Sequence, residues 1–360
     1  MSPSQWIRLN ERIYSSEELK NQGLDEIQSD FERATLKFCK DWVNGQQEFA
    51  IQTSGSTGTP KSIVLLRSQM EANAKQTIEA LQLKAGETSL VCLDTNYVAG
   101  KMMLVRSLIV GMNVIAVEPS ANPFNKLEEQ PVDFVALVPY QLEEIIEHSS
   151  EKLNQVRCAI VGGAAIGYSL NEKIKKSRCS IYATYGMTET ISHIALQRLN
   201  GKRTQHYFKA FETIDLRLDD RGCLCVKAKY LDEEIITNDL AELIDGKQFK
   251  CLGRIDNVIN SGGIKVIPEK VESALERILN SFQIINRFFI TGIPDEKLGS
   301  KVIVVFEGLP FNKEIKEEIL FEASQKISKY ELPKEFLFIP KFRETATGKI
   351  NRSATVSSIQ

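Results

Sequence analysis

Thr53-Ser-Gly-Ser-Thr-Gly-Thr-Pro-Lys61 gathers five hydroxyls, two glycines and one lysine into nine residues. Glycines let a backbone bend until its N–H groups converge on an anion. Hydroxyls can donate to phosphate oxygens, and a lysine adds a compact positive charge. The order is not that of GxxxxGK[ST], which joins a strand to a helix; here strand-like runs flank the loop on both sides. A plain polar hairpin loop does not need this ordered set of hydroxyls. A second chemical cluster is Tyr185-Gly-Met-Thr-Glu-Thr190, where a carboxylate at Glu189 could hold a hard cation beside phosphate.

The first loop resembles the phosphate loop of acyl-adenylate-forming (AMP-binding) enzymes, which include acyl- and aryl-CoA ligases, luciferases and nonribosomal adenylation domains. On that resemblance Thr53, Ser54, Gly55, Ser56, Thr57, Gly58 and Lys61 cradle the phosphates of ATP. The family's further motifs follow in order. Tyr185–Thr190 matches Y-G-x-T-E, which implies that Tyr185 and Gly186 line the adenine pocket, Thr188 contacts the nucleotide phosphate and Glu189 helps to hold Mg²⁺. Gly162, Gly163 and Ala164 resemble the segment whose backbone packs on the adenine. Thr237-Asn-Asp239 stands where the family has T-G-D, so Asp239 would accept from the ribose hydroxyls. Asn238 replaces the glycine, and Asn also visits left-handed conformations. Gly253-Arg-Ile-Asp256 matches G-R-x-D, with Arg254 on ribose or phosphate and Asp256 as the hinge between domains. Ser261, Gly262 and Gly263 open a loop resembling the one that forms the channel for the thiol acceptor, CoA. Lys349, in Thr347-Gly-Lys-Ile-Asn-Arg352, would be the adenylation lysine, offsetting repulsion between two anions that must meet. Arg343 stands where the family has proline.

The resemblance implies a carboxylic acid activated by ATP and then passed to CoA. The acid pocket is expected after Asp94, where Tyr97 occupies the place of a family histidine and Gly100 keeps the family glycine. Lys101 and Arg106 are cations on a run otherwise apolar, and His193 follows Glu189 by four residues. A second anion site made by Lys101 and Arg106 would suit an acid with two carboxylates, with Tyr97 and His193 as further candidates for the acid pocket. These features are most similar to the short o-succinylbenzoate–CoA ligases of menaquinone biosynthesis. The alternatives are another aryl- or acyl-CoA ligase with a monocarboxylic substrate, a stand-alone adenylation domain serving a carrier protein, and a nucleotide-binding protein without turnover.

These residues need a scaffold that the remaining pattern outlines. Strand-like runs at residues 49–53, 62–66, 89–93, 113–117, 134–138 and 156–161 alternate with helical ones at 100–110 and 140–148. Strands alternating with helices predict a mainly parallel sheet covered by helices. One helix is predicted over 16–43, and Ser68–Glu71 reads as a capping box opening another to residue 83. Hairpins are predicted around 219–222 and 245–246. After residue 256 come a helix opened by Pro268, strands at 287–291, 301–306 and 335–339, and a helix at 312–329. The expected organisation is α/β: an adenylation domain over 1–255, shortened at its N-terminal side relative to the family, and a small, mobile α+β domain over 256–360.

Composition narrows the partners. Lys plus Arg is 45 against 47 for Asp plus Glu, a net charge of −2, so no basic excess recommends nucleic acid. No apolar run reaches the roughly 18 residues of a membrane span, and no basic-then-apolar leader opens the chain. Seven scattered cysteines without CxxC spacing read as free thiols in a reducing cytoplasm. Small molecules are the expected partners: the acid, ATP and CoA, with Mg²⁺. A homodimer is left open.

Overall fold

Apolar runs that do not alternate belong on strands buried on both faces. In the computed structural model, which describes residues 5–9, 12–23, 27, 29–52, 62–127, 130–344 and 350–357, every residue of Thr88–Val91, Phe134–Leu137 and Cys158–Val161 is buried. With Asn113–Ala116 and Ser180–Gly186 they form a parallel core, in the spatial order 113–116, 88–91, 134–137, 158–161, 180–186. Helices cover both sides. Arg67–Leu81 and Val98–Val110 belong to one hydrophobic cluster, Pro139–His148 and Tyr168–Ile174 to the other.

Beyond residue 186 the sheet continues as antiparallel strands His193–Arg198, Phe208–Ala210, Gln248–Arg254, Ile235–Leu243, Cys223–Ala228 and Ile214–Leu218. Strands Ile7–Leu9 and Arg12–Tyr14 close the opposite edge, giving 13 strands. Both expected hairpins form. In the first, Asp219 Oδ1 accepts from the backbone N–H of Arg221 and of Cys223, 2.9 Å each, which is how an Asp fixes a turn. Strands Glu48–Gln52 and Ser62–Leu66 pair separately, with Gln52 opposite Ser62, and Phe49 of the first packs against Phe38 and Trp42.

A smaller assembly follows residue 255. Strands Phe288–Asp295, Gly299–Glu307 and Glu335–Ile339 form a three-stranded sheet covered by helices Pro268–Ser281 and Lys313–Lys326. Its contacts with the larger body include those of the Pro268–Ser281 helix: Arg277 lies over the Tyr168 ring at 5.6 Å, and Glu276 lies against Gly167. Among the described residues no helix is long and apolar enough to cross a membrane. All seven cysteines are free, with Cys251 alone exposed.

Three expectations need correction. The helix predicted over 16–43 is two, Ser16–Asn21 and Asp30–Val43. The second takes its own cap, the Ser29 hydroxyl accepting from Glu32 N–H, so an apolar period that continued in the sequence is restarted. Ser68 does not open a capping box. The helix begins at Arg67, Gln69 Oε1 accepts from Leu66 N–H, and Glu71 is taken by Arg67 at 2.8 Å. Ile7–Leu9, Arg12–Tyr14, Ser180–Gly186 and His193–Arg198 also form strands that the apolar pattern did not announce.

Candidate active site

The motif residues meet along the seam where the parallel core passes into the antiparallel arm. Gly162, Gly163 and Ala164 leave the Cys158–Val161 strand, with Ala164 exposed. A Cβ on Gly162 would lie 2.3 Å from the hydroxyl of Thr184, which donates to the Val161 carbonyl at 3.1 Å. Tyr185 and Gly186 end the neighbouring strand. Tyr185 packs edge-on against Phe249, ring centroids 5.0 Å apart, and its hydroxyl donates to Asp239 Oδ2 at 2.6 Å. Burial, then the Asp239 charge, push the phenol well above its ordinary pKa and keep it protonated.

Asp239 sits opposite Arg254 in the register of the two long strands, and Arg254 Nη1 reaches Asp239 Oδ1 at 3.4 Å. A carboxylate offers about four acceptor positions, so these two donors leave room for hydroxyls of a ligand. Arg254 Nη2 also donates to Asp256 at 2.6 Å, which holds that carboxyl below its usual range. Asn238 Nδ2 adds contacts of 3.2 Å to both Asp256 oxygens. One chain of contacts thus joins Tyr185, Asp239, Arg254 and Asp256.

The Met187–Ile191 turn is pinned by a residue outside the sequence-derived set. Thr190, fully buried, accepts from Met187 N–H at 3.0 Å and lies within hydrogen-bonding distance of the Met187 and Ser192 carbonyls. Ile191 follows at φ +70°, a strained value for a β-branched residue. The turn leaves the Glu189 side chain exposed, with no hydrogen bond or ion pair among the described residues. Thr188 is half-buried beside it. Among the described residues no group of three or more His, Cys, Asp or Glu could hold a metal. Mg²⁺ commonly takes only one or two protein carboxylates and completes its shell with phosphate and water. A single free Glu189 therefore fits a cation that arrives with a triphosphate.

A second cluster lies one register step away. Gly186 pairs with His193, and a Cβ at Gly186 would stand 2.3 Å from the His193 Cα, so only glycine allows this approach. His193 is buried, its Nε2 2.9 Å from Thr77 Oγ1 and its Nδ1 3.3 Å from Arg106 Nη2. Arg106 is 1% exposed, and Nη2 also donates to Ser192 Oγ at 3.0 Å. No carboxylate pairs with it among the described residues, and Nε lacks an acceptor. Burial pulls its pKa down to about 9. Burial, and then the Arg106 charge, hold His193 well below the ordinary imidazole value.

Lys101 does not join that cluster. Five helical residues turn the chain by about 140° relative to Arg106, and Lys101 Nζ donates to the Asn96 carbonyl at 3.0 Å. Tyr97 precedes the helix and is half-buried. Ser261, buried, ends a short strand, and Gly262 and Gly263, at φ +59° and +81°, form the two-residue turn to Ile264–Val266. Such a pair of positive φ values is what a twisted two-residue hairpin asks for. The expectations for Thr53, Ser54, Gly55, Ser56, Thr57, Gly58, Lys61 and Lys349 lie outside the described residues.

Residues 10–225 match the family model described as AMP-binding enzyme. The chain belongs to that family and is an acyl-adenylate-forming ligase. It is similar to an acyl-CoA synthetase (AMP-forming)/AMP-acid ligase II-like protein from Dyadobacter fermentans, at 35% identity and a TM-score of 0.64, over 96% of this chain and 99% of that one. A 2-succinylbenzoate–CoA ligase of Bacillus cereus is 25% identical over 357 residues, covering 87% of this chain and 72% of that protein. The fold is shared with the o-succinylbenzoate coenzyme A synthetase of Bacillus subtilis, solved with ATP and a magnesium ion, at 20% identity and a TM-score of 0.72 over 85% of this chain and 69% of that one.

Proposed function

We propose that this enzyme activates an aromatic dicarboxylic acid of the 2-succinylbenzoate kind with ATP and passes the acyl group to CoA. One observation carries the choice of acid: Arg106, a buried cation with no anionic partner among the described residues, in contact with His193, which pairs with Gly186 of the nucleotide motif. An uncompensated buried charge is costly. A second substrate carboxylate would supply the missing partner. The similarity to 2-succinylbenzoate–CoA ligases supports the same acid.

In the first half-reaction a carboxylate oxygen attacks the α-phosphorus of ATP. The P–O bond to the β-phosphate breaks, and pyrophosphate leaves with the bonding electrons. Tyr185 and the Gly162–Ala164 backbone flank the adenine, while Asp239 and Arg254 hold the ribose. Thr188 steadies the phosphate, with Thr53, Ser54, Gly55, Ser56, Thr57, Gly58 and Lys61 around the leaving group. Lys349 spans the attacking carboxylate and the α-phosphate, so two anions meet at lower cost. Mg²⁺, held by Glu189 and the phosphates, would neutralise charge on the departing group. In the second half-reaction the CoA sulfur attacks the acyl carbon, AMP leaves, and the thiol proton passes to solvent. The 256–360 unit turns about Asp256 between the two, bringing Ser261, Gly262 and Gly263 to the thiol path.

The test is the Arg106→Leu enzyme assayed with 2-succinylbenzoate and with benzoate. The kcat/KM for the dicarboxylic acid is expected to fall about a hundredfold and that for benzoate by less than about threefold. Equal losses would remove Arg106 from acid recognition.

A further inference from the structure

We infer that Thr77 is a positioning residue: its hydroxyl accepts from the Nε2–H of His193 and anchors the ring so that the bare Nδ1 stays aimed at the Arg106 guanidinium. The inference rests on the role proposed for Arg106. A guanidinium has donors only, so the nitrogen facing Arg106 Nη2 at 3.3 Å, His193 Nδ1, must be the bare acceptor. The proton of a neutral ring then sits on Nε2, which points at Thr77 Oγ1, 2.9 Å away. Thr77 and His193 are both buried, leaving no bulk water to substitute for this partner. The other tautomer would set an N–H against an N–H at Arg106, so Arg106 selects the tautomer, and Thr77, whose hydroxyl can accept from Nε2–H, holds the ring in place.

The main chain of the same residue is fixed from the same helix. Asn73, one turn before Thr77, donates through Nδ2 to the His193 carbonyl at 3.0 Å and reaches Tyr230 Oη at 3.2 Å. The Arg67–Leu81 helix thereby grips His193 by ring and backbone. Ser192 Oγ takes the second Nη2 contact, so the two acceptors engage one guanidinium nitrogen. Nε stays buried without an acceptor among the described residues. Thr77 touches neither substrate nor nucleotide in this arrangement; it acts through His193.

The experiment compares wild type, Thr77→Val and Thr77→Ser by two readouts. Imidazole ¹⁵N NMR reports which nitrogen of His193 carries the proton, its signal told apart by a His193→Gln control. Steady-state kinetics report kcat/KM for 2-succinylbenzoate relative to benzoate. Wild type and Thr77→Ser are expected to show the Nε2–H form. Thr77→Val should keep the proton on Nε2 but shift that nitrogen's signal through loss of its hydrogen-bond acceptor, with the dicarboxylic preference reduced about tenfold, chiefly through KM. An unchanged Nε2–H signal in Thr77→Val overturns the inference. So does loss of preference in Thr77→Ser equal to that in Thr77→Val, which would signal disturbed packing. A wild-type enzyme with no dicarboxylic preference overturns the acid assigned to Arg106 instead, while the NMR arm still decides on Thr77 and His193.

Discussion

Arg106 and His193 stand 87 positions apart in the chain and share a hydrogen bond in the fold. Their types gave each away as chemically interesting, Arg106 as a cation in an apolar helix and His193 as a histidine just past the nucleotide motif. Their burial and mutual contact carried no sequence signal, because burial depends on which helix face meets the sheet. Thr77, Asn73 and Thr190 were invisible for the same reason: small polar residues that read as ordinary until their partners are placed. Two predictions belong here. Arg106→Leu removes a buried charge without a counter-ion, so thermal unfolding should show stability lowered by no more than about 1 kcal/mol, unlike most core substitutions. A drop of several kcal/mol would mean the charge is compensated. His193, neutral in the fold and facing the Arg106 charge, binds a proton more readily when unfolded. Its contribution is therefore full above the ordinary value of 6.5 and is lost as pH falls below it, by up to about 1.4 kcal/mol per pH unit. Between about pH 6.5 and 5, His193→Gln should show a shallower decline of stability than wild type; parallel curves would refute a neutral buried ring.

At the scale of elements, the parallel strands were legible because strands buried on both faces read as unbroken apolar runs. The 180–186 strand was not, since Ser180 and Thr184 break any apolar run and its end carries Tyr185 and Gly186 of the nucleotide motif. The 16–43 break was hidden because an amphipathic period survives a change of helix. Gly100 shows how an element is set against the site. A Cβ there would lie 2.5 Å from the Asp94 carbonyl oxygen, so the Val98–Val110 helix can enter this close only with glycine. Gly100→Ala is expected to cost about 2 kcal/mol by denaturant unfolding and to raise KM for the acid, because the helix carrying Arg106 must shift. A neutral effect on both would show that the helix start is free to move.

For the whole molecule, motif order placed a change of unit near Asp256, where the long antiparallel strands give way to the small three-stranded sheet. What motif order could not give is the orientation, in which Glu276 rests against Gly167 and Arg277 over Tyr168. If the small unit turns between half-reactions, joining Gly167→Cys to Glu276→Cys by oxidation should cut overall turnover at least about tenfold while sparing one half-reaction, with recovery on reduction. Full turnover in the oxidised state would rule out rotation as a required step. The most direct test of the whole account is pyrophosphate release by the intact enzyme with ATP, Mg²⁺ and CoA, given 2-succinylbenzoate, benzoate, a medium-chain fatty acid or no acid. Rapid release with 2-succinylbenzoate, and little with the others, is the predicted result. Equal or faster release with benzoate or the fatty acid would contradict the dicarboxylic assignment, and no release with any acid would contradict turnover of the substrate proposed.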